Sequence, residues 1–120
     1  KQVRWQKIAD EAVKQCMRGR IPKVSGVLSF DEMLERASKH QLCIMPYELC
    51  RDTRLKEAFG NAEPSDIGII IGSEGGFSEE EVERAKALGI IPVTLGKRIL
   101  RTETAGAAVL ACTMYHMNRF

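Results

Sequence analysis

Apolar or small side chains recur at Trp5, Ile8, Ala9, Ala12, Val13 and Cys16. Steps of three and four residues place them on one stripe of a helix. A core-facing helix is therefore expected, stopping near Gly19 ahead of Arg20-Ile21-Pro22, since proline disfavours helix in its predecessor. Ser29 followed by Glu32 is a reciprocal capping signature, and Phe30, Met33, Leu34 and Ala37 supply the buried face of the helix it starts. Leu42-Cys43-Ile44-Met45 is a short apolar run ended by Pro46, which predicts a buried strand turning at Pro46-Tyr47. Arg51 to Phe59 predicts a short helix through Leu55, Ala58 and Phe59, and residues 60–65 have loop composition. Ile67-Gly68-Ile69-Ile70-Ile71 shows no polar alternation. It predicts a parallel strand covered on both faces, at the centre of its sheet.

Ser78 with Glu81 forms a second capping box, and Glu79, Glu80 and Glu81 favour the positive end of a helix that runs to Leu88 and stops at Gly89. Ile91 to Leu95 predicts a strand with its proline near the start. A last helix, capped by Thr102 or Thr104, carries Ala107, Ala108, Val109, Leu110, Ala111, Met114, Met117 and Phe120. This order of helices and strands predicts one α/β domain over 1–120, a mainly parallel sheet flanked by helices.

The length of 120 residues and 44% hydrophobic content suit one compact domain. No apolar run approaches the roughly 20 residues that cross a bilayer, and the first residues lack a secretory pattern, so no membrane partner and a cytoplasmic location are expected. Cys16, Cys43, Cys50 and Cys112 contain no Cys-x-x-Cys pair, and His40 and His116 do not stand at zinc-finger spacing from them. No metal and no disulfide are expected, with Cys43 and Cys112 as buried free thiols. The net charge is +2, yet the first 23 residues carry seven Lys and Arg against two acids. Two readings stay open for that patch: phosphate contact, or an ordinary solvated helix face.

Two glycine-bearing turns hold the candidate chemistry. Ile71-Gly72-Ser73-Glu74-Gly75-Gly76-Phe77 and Leu95-Gly96-Lys97-Arg98-Ile99-Leu100-Arg101-Thr102-Glu103-Thr104-Ala105 each follow a strand-like run and lead into a helix. Ligands of open α/β sheets bind beyond the carboxyl ends of strands, where glycine lets main-chain groups approach them. Phosphate is the first guess, but Glu74 and the three glutamates after Ser78 would repel a polyanion. Gly-Lys-Ser/Thr and Gly-x-Gly-x-x-Gly are both absent. A ligand with a cationic or neutral reactive centre and an adenine-like ring suits this setting better.

These two motifs, together with Arg4-Trp5-Gln6-Lys7-Ile8, Glu11-Ala12 and Gln15 upstream, resemble the RsmE-type methyltransferases, which methylate ring N3 of a uridine in small-subunit ribosomal RNA. The resemblance spans essentially the whole chain. It implies a SPOUT fold with a C-terminal trefoil knot, S-adenosylmethionine as cofactor, ribosomal RNA as partner, and a homodimer with the last helix in its interface. It implies a cofactor pocket of Met45 and Pro46; Ile71, Gly72, Glu74, Gly75 and Gly76; and Leu95, Gly96, Ile99, Leu100 and Arg101. Arg101 and Glu74 are the catalytic candidates. Arg101 would steady the developing uracil anion or its phosphate; alternatively it pairs with Glu74 or Glu103 and holds the loops. No general base is singled out. Ser73 stands where the family usually has proline, and Cys16 where it usually has serine. The family's N-terminal RNA-gripping barrel, and the first strand and helix of its catalytic domain, are expected to be missing from these residues. A non-catalytic RNA-binding or dimerisation module, or a SPOUT methyltransferase acting on transfer RNA, are the alternatives.

Overall fold

The computed structural model describes residues 1–17, 19–96 and 100–118. It contains α1 (Gln2–Cys16), α2 (Phe30–Ala37), β1 (Leu42–Pro46), α3 (Leu55–Phe59), β2 (Ile67–Ile69), α4 (Glu79–Ala87), β3 (Ile91–Val93) and α5 (Thr102–His116). The strands form one parallel sheet in the order β2-β1-β3. Ile44 of β1 stands opposite Ile69 on one side and Ile91 on the other.

Successive strand side chains point to opposite faces, and β1 shows the consequence. Cys43 and Met45 join Leu34, Ile70, Val82, Ala85 and Ile90 in a core under α2 and α4. Ile44 joins Phe59, Val93 and Val109 in a second core under α3 and α5. The fold is thus helices, sheet, helices, and the absence of polar alternation in the strands follows from burial on both faces. Burial pushes the Cys43 thiol up from 9.0 to about 11, because the thiolate would lose its hydration.

Both capping boxes form. Ser29 accepts from the Glu32 amide while the Glu32 carboxylate accepts from the Ser29 amide, and Ser78 and Glu81 repeat the arrangement. Gly89 follows α4 at φ 85°, a left-handed value suited to a helix exit.

Several expectations need correction. β1 is the central strand, and β2 lies at an edge of the described sheet. The apolar stripe of α1 is not a core face: Trp5, Ile8, Ala12 and Cys16 are exposed, Ala9 is half-buried, and only Val13 is buried. The inner side of α1 is instead fastened by amide bonds from Gln2 and Gln6 to the segment at Pro22–Val24. The helix ends at Cys16, with Met17 in the left-handed conformation, before Gly19 is reached. α3 starts only at Leu55, because Thr53 and Arg54 pair in extended form with Thr94. Cys112 is exposed rather than buried, since it borders the open cavity beside Val109 instead of the packed core. Neither Thr102 nor Thr104 caps α5; Arg101 occupies the cap position without a side-chain bond, its carbonyl accepting from Thr104 and Ala105.

Candidate functional site

Because the strands are parallel, the carboxyl ends of β2, β1 and β3 share one edge of the sheet, and their three following loops lie side by side. Tyr47, just past β1, donates its amide to the Val93 carbonyl at 2.9 Å. Ile70, just past β2, donates to the Ile44 carbonyl at 2.9 Å. The chain leaves β1 for α3 on one face and β2 for α4 on the other. Neighbouring strands whose continuations diverge in this way leave a crevice between them, the usual ligand position in such sheets.

The first glycine turn closes with a Gly76 amide to Ser73 carbonyl bond of 2.9 Å, and Gly76 sits at φ 72°. A side chain at Gly72 would be crowded, since a Cβ there would stand 3.0 Å from the Phe77 ring. Phe77 is itself packed against the core beneath α2 and α4, so the turn is drawn onto the sheet by its own apolar residue. Glu74, Gly75 and Gly76 are exposed at the tip.

The second turn begins with Thr94, whose hydroxyl accepts from the Gly96 amide at 3.2 Å. Gly96 holds φ 104°, a conformation that L side chains rarely adopt. Beyond it, Leu95, Gly96 and Leu100 line a cavity of about 400 Å³ with Arg54, Leu55, Lys56, Thr94, Ala108, Val109 and Cys112. That volume lies within the range of about 300–1,000 Å³ common for small-ligand pockets. Its floor is apolar, from Leu55, Leu95 and Val109, and Arg54 and Lys56 supply cationic groups.

Of the expected site residues, the cavity gathers Leu95, Gly96 and Leu100, while Met45, Pro46, Ile71, Gly72, Glu74, Gly75 and Gly76 are not in its lining. The Met45 side chain is fully buried in the core, so at the edge it offers main chain only. Ile71 is half-buried, and its Cγ1 lies 3.9 Å from where a Cβ on Gly106 would stand. The segment after β2 thereby comes near the second turn of α5, although α5 follows β3, which lies across β1 from β2. Arg101 is exposed at the start of that helix. Among the described residues Arg101 forms no ion pair with Glu74 or Glu103. Ile99 lies outside the described residues, as do Lys97 and Arg98. No group of three or more potential metal ligands occurs among the described residues. Arg54, Leu55 and Lys56, and Ala108 and Cys112 on α5, are cavity walls that the motifs do not indicate. The extended Arg54–Thr94 pairing that sets the first group beside β3 has no local sequence signal.

Three parallel strand tips, two glycine turns and a helix start thus share one edge of the sheet of an α/β fold. The profile of the RNA methyltransferase domain family matches residues 1–114, and the chain belongs to that family. It is 38% identical over 120 residues to Ribosomal RNA small subunit methyltransferase E of Bacillus subtilis, covering 96% of this chain and 47% of the relative. Its counterpart in Mesomycoplasma hyopneumoniae is 36% identical over 108 residues, covering 89% of this chain and 45% of that protein. Among solved structures, a Ribosomal RNA small subunit methyltransferase E from Neisseria gonorrhoeae bound to S-adenosyl methionine superposes with a TM-score of 0.79 at 34% identity, covering 95% of this chain and 47% of that one. A Legionella pneumophila protein in complex with bound cofactor SAM gives a TM-score of 0.85 at 32% identity, covering 96% and 46%. The chain therefore spans about half the length of the curated relatives it matches.

Proposed function

We propose that these residues form the cofactor-binding and catalytic portion of an S-adenosylmethionine-dependent methyltransferase that acts on ring N3 of a uridine in small-subunit ribosomal RNA. One observation carries the reading: in the parallel sheet β2-β1-β3 the two glycine turns follow strand ends at the same edge, the edge from which α5 starts at Arg101. The family membership and the cofactor bound by the neighbouring structures support it.

The residues present fit the cofactor. The apolar floor formed by Leu55, Leu95 and Val109 suits a purine face, while main-chain groups around Gly96 can donate and accept at close range. Carboxylates at Glu74 and Glu79–Glu81 favour a cationic centre. Met45 and Pro46 contribute their main chain, Ile71, Gly72, Glu74, Gly75 and Gly76 the second loop, and Leu95, Gly96, Ile99, Leu100 and Arg101 the third. When bound, S-adenosylmethionine supplies an electrophilic methyl group. The protein's task is to hold the uracil nitrogen in line with that methyl and to ease loss of the ring proton. Arg101, exposed and without a carboxylate partner among the described residues, is available to stabilise negative charge growing on uracil.

The reading includes a SPOUT trefoil knot, which the family membership supports. It includes a homodimer through the outer side of α5, where Ala107, Leu110, Ala111 and Tyr115 are exposed, and a cytoplasmic location. Residues 1–120 are then the C-terminal SPOUT portion of the enzyme.

Calorimetric titration with S-adenosylmethionine tests the site. The parent chain is expected to bind, and Gly96→Val to lose binding, because a β-branched residue is strained at φ 104°. A parent that shows no heat while its circular dichroism remains folded would overturn the cofactor assignment. Methyl transfer to small-subunit RNA tests the reaction: Arg101→Ala is expected to retain cofactor affinity and lose about 10²-fold or more in rate. Equal rates would remove Arg101 from the chemistry, and transfer to transfer RNA alone would replace the substrate.

A further inference from the structure

The walls of the cavity of about 400 Å³ carry charge of one sign. Arg54 and Lys56 line it, and among the described residues no carboxylate does. Both are exposed, and neither is in an ion pair among the described residues. Their positive charge is not cancelled within the cavity, and it borders the same space as the apolar floor of Leu55, Leu95 and Val109.

Arg54 stands there because the main chain on both sides of it is pinned. The Thr94 amide donates to the Thr53 carbonyl at 2.8 Å, and Arg54 pairs in parallel register with Thr94. The Arg54 carbonyl accepts from the Ala58 amide at 3.0 Å as α3 begins. Thr94 also opens the second glycine turn, so this pairing ties the cation to the loop that gives Leu95 and Gly96 to the cavity. Lys56 follows within α3. Charged groups on a backbone that is fixed before the ligand arrives lose less freedom on binding.

We propose that Arg54, with Lys56 beside it, recognises the amino-acid carboxylate of S-adenosylmethionine. The proposal rests on the cofactor reading above, and it adds two residues that the glycine motifs do not contain. A guanidinium meets a carboxylate through parallel N–H donors, and a lysine ammonium adds a point charge. Small-ligand pockets are mostly apolar, with a few polar groups that fix orientation. Here the floor takes the purine and the cations take the other end of the molecule. The sulfonium and the amine of the cofactor are repelled by Arg54 and Lys56, so the carboxylate is the one anionic part that gains from them. A cavity of this size holds a single small molecule. The anion that meets these side chains therefore belongs to the molecule lying on the apolar floor rather than to a nucleic-acid strand.

Decarboxylated S-adenosylmethionine keeps the adenosine, the sulfonium and the amine and lacks only the carboxylate, so comparing the two ligands isolates that group. Calorimetric titration of the parent is expected to show binding about tenfold tighter for S-adenosylmethionine. Arg54→Gln combined with Lys56→Gln should erase this preference, weakening S-adenosylmethionine about tenfold and leaving the decarboxylated ligand no weaker than before. Arg54→Lys should restore part of the preference, and added salt should shrink it, because both cations are exposed. Variants are checked for helix content before titration; should the double variant lose it, Arg54→Gln alone and the preference of the parent decide the matter. A parent that binds both ligands equally would overturn the assignment and leave the cofactor reading standing. Equal losses for both ligands in the variants would give these side chains a structural role and overturn it as well. Unchanged affinity for both ligands, with weaker binding of an oligouridylate, would assign the cations to RNA phosphate instead and overturn it too. A folded parent that binds neither ligand refutes the cofactor reading itself, and the assignment with it.

Discussion

Cys43 shows how much one position depends on its neighbours. It is 4% exposed, and its sulfur lies 3.1 Å from where a Cβ on Gly68 would stand, so a side chain on the adjacent strand would crowd this thiol. The proton is retained because the cavity for a thiolate is dry. In the unfolded chain the thiol ionises near 9.0, and in the folded chain at about 11. The folded state therefore binds more protons than the unfolded state between those values, and stability falls as pH rises through that window. Urea midpoints are expected to be unaffected by this group up to about pH 9 and to decline above it. Cys43→Ala should flatten that decline while lowering stability at neutral pH. A thiol reagent at neutral pH should label the exposed Cys16 and Cys112 and spare Cys43 until the chain unfolds. Burial of Cys43 is legible from the apolar run around it. Exposure of Cys112 is not, because small helical neighbours look the same on either side of a helix.

At the scale of elements, signals confined to a single turn are legible. Ser29 and Ser78 begin their helices because the glutamate three residues on completes a reciprocal pair of hydrogen bonds within one turn. Ser78→Ala is expected to cost about 1 kcal/mol, and more than Ser78→Gly. Denaturant unfolding of the two variants checks this, and equal midpoints for parent and Ser78→Ala would show that Glu81 alone supports the helix start. The errors have a different origin. The stripe on α1 tells which side is apolar, but covering it needs a partner from elsewhere, and among the described residues only the Val13 end finds one. The run Ile67–Ile71 tells that both faces are covered, which the helices on either side achieve. It carries no information about whether a strand lies along each edge, so the central place expected for β2 belongs to β1. The cap of α5 falls at Arg101, whereas the two threonines are one-residue preferences that the helix start does not use.

Across the whole molecule, the three strand tips are legible because glycine turns after apolar runs mark a parallel sheet's carboxyl edge. The 400 Å³ cavity is not, since its walls come from α3, the end of β3 and α5, which meet only after the layers have packed. Ile44 sits where those layers join, fully buried and flanked by Ile69 and Ile91. Ile44→Val should cost about 0.5–1.5 kcal/mol. A thermal melt should register the whole loss in a single transition, and a biphasic melt would show that the two cores unfold separately.

The bonds that fasten α1 to Pro22–Val24 bear on how the molecule breathes. Among the described residues α1 is held by the side chains of Gln2 and Gln6 and by the buried Val13, whereas β1 is locked between two strands and two helical layers. Deuterium should enter the α1 backbone through partial opening events far cheaper than complete denaturation, long before it reaches Ile44. Limited digestion should nick the stretch around Arg20 first and leave the sheet as a resistant remnant.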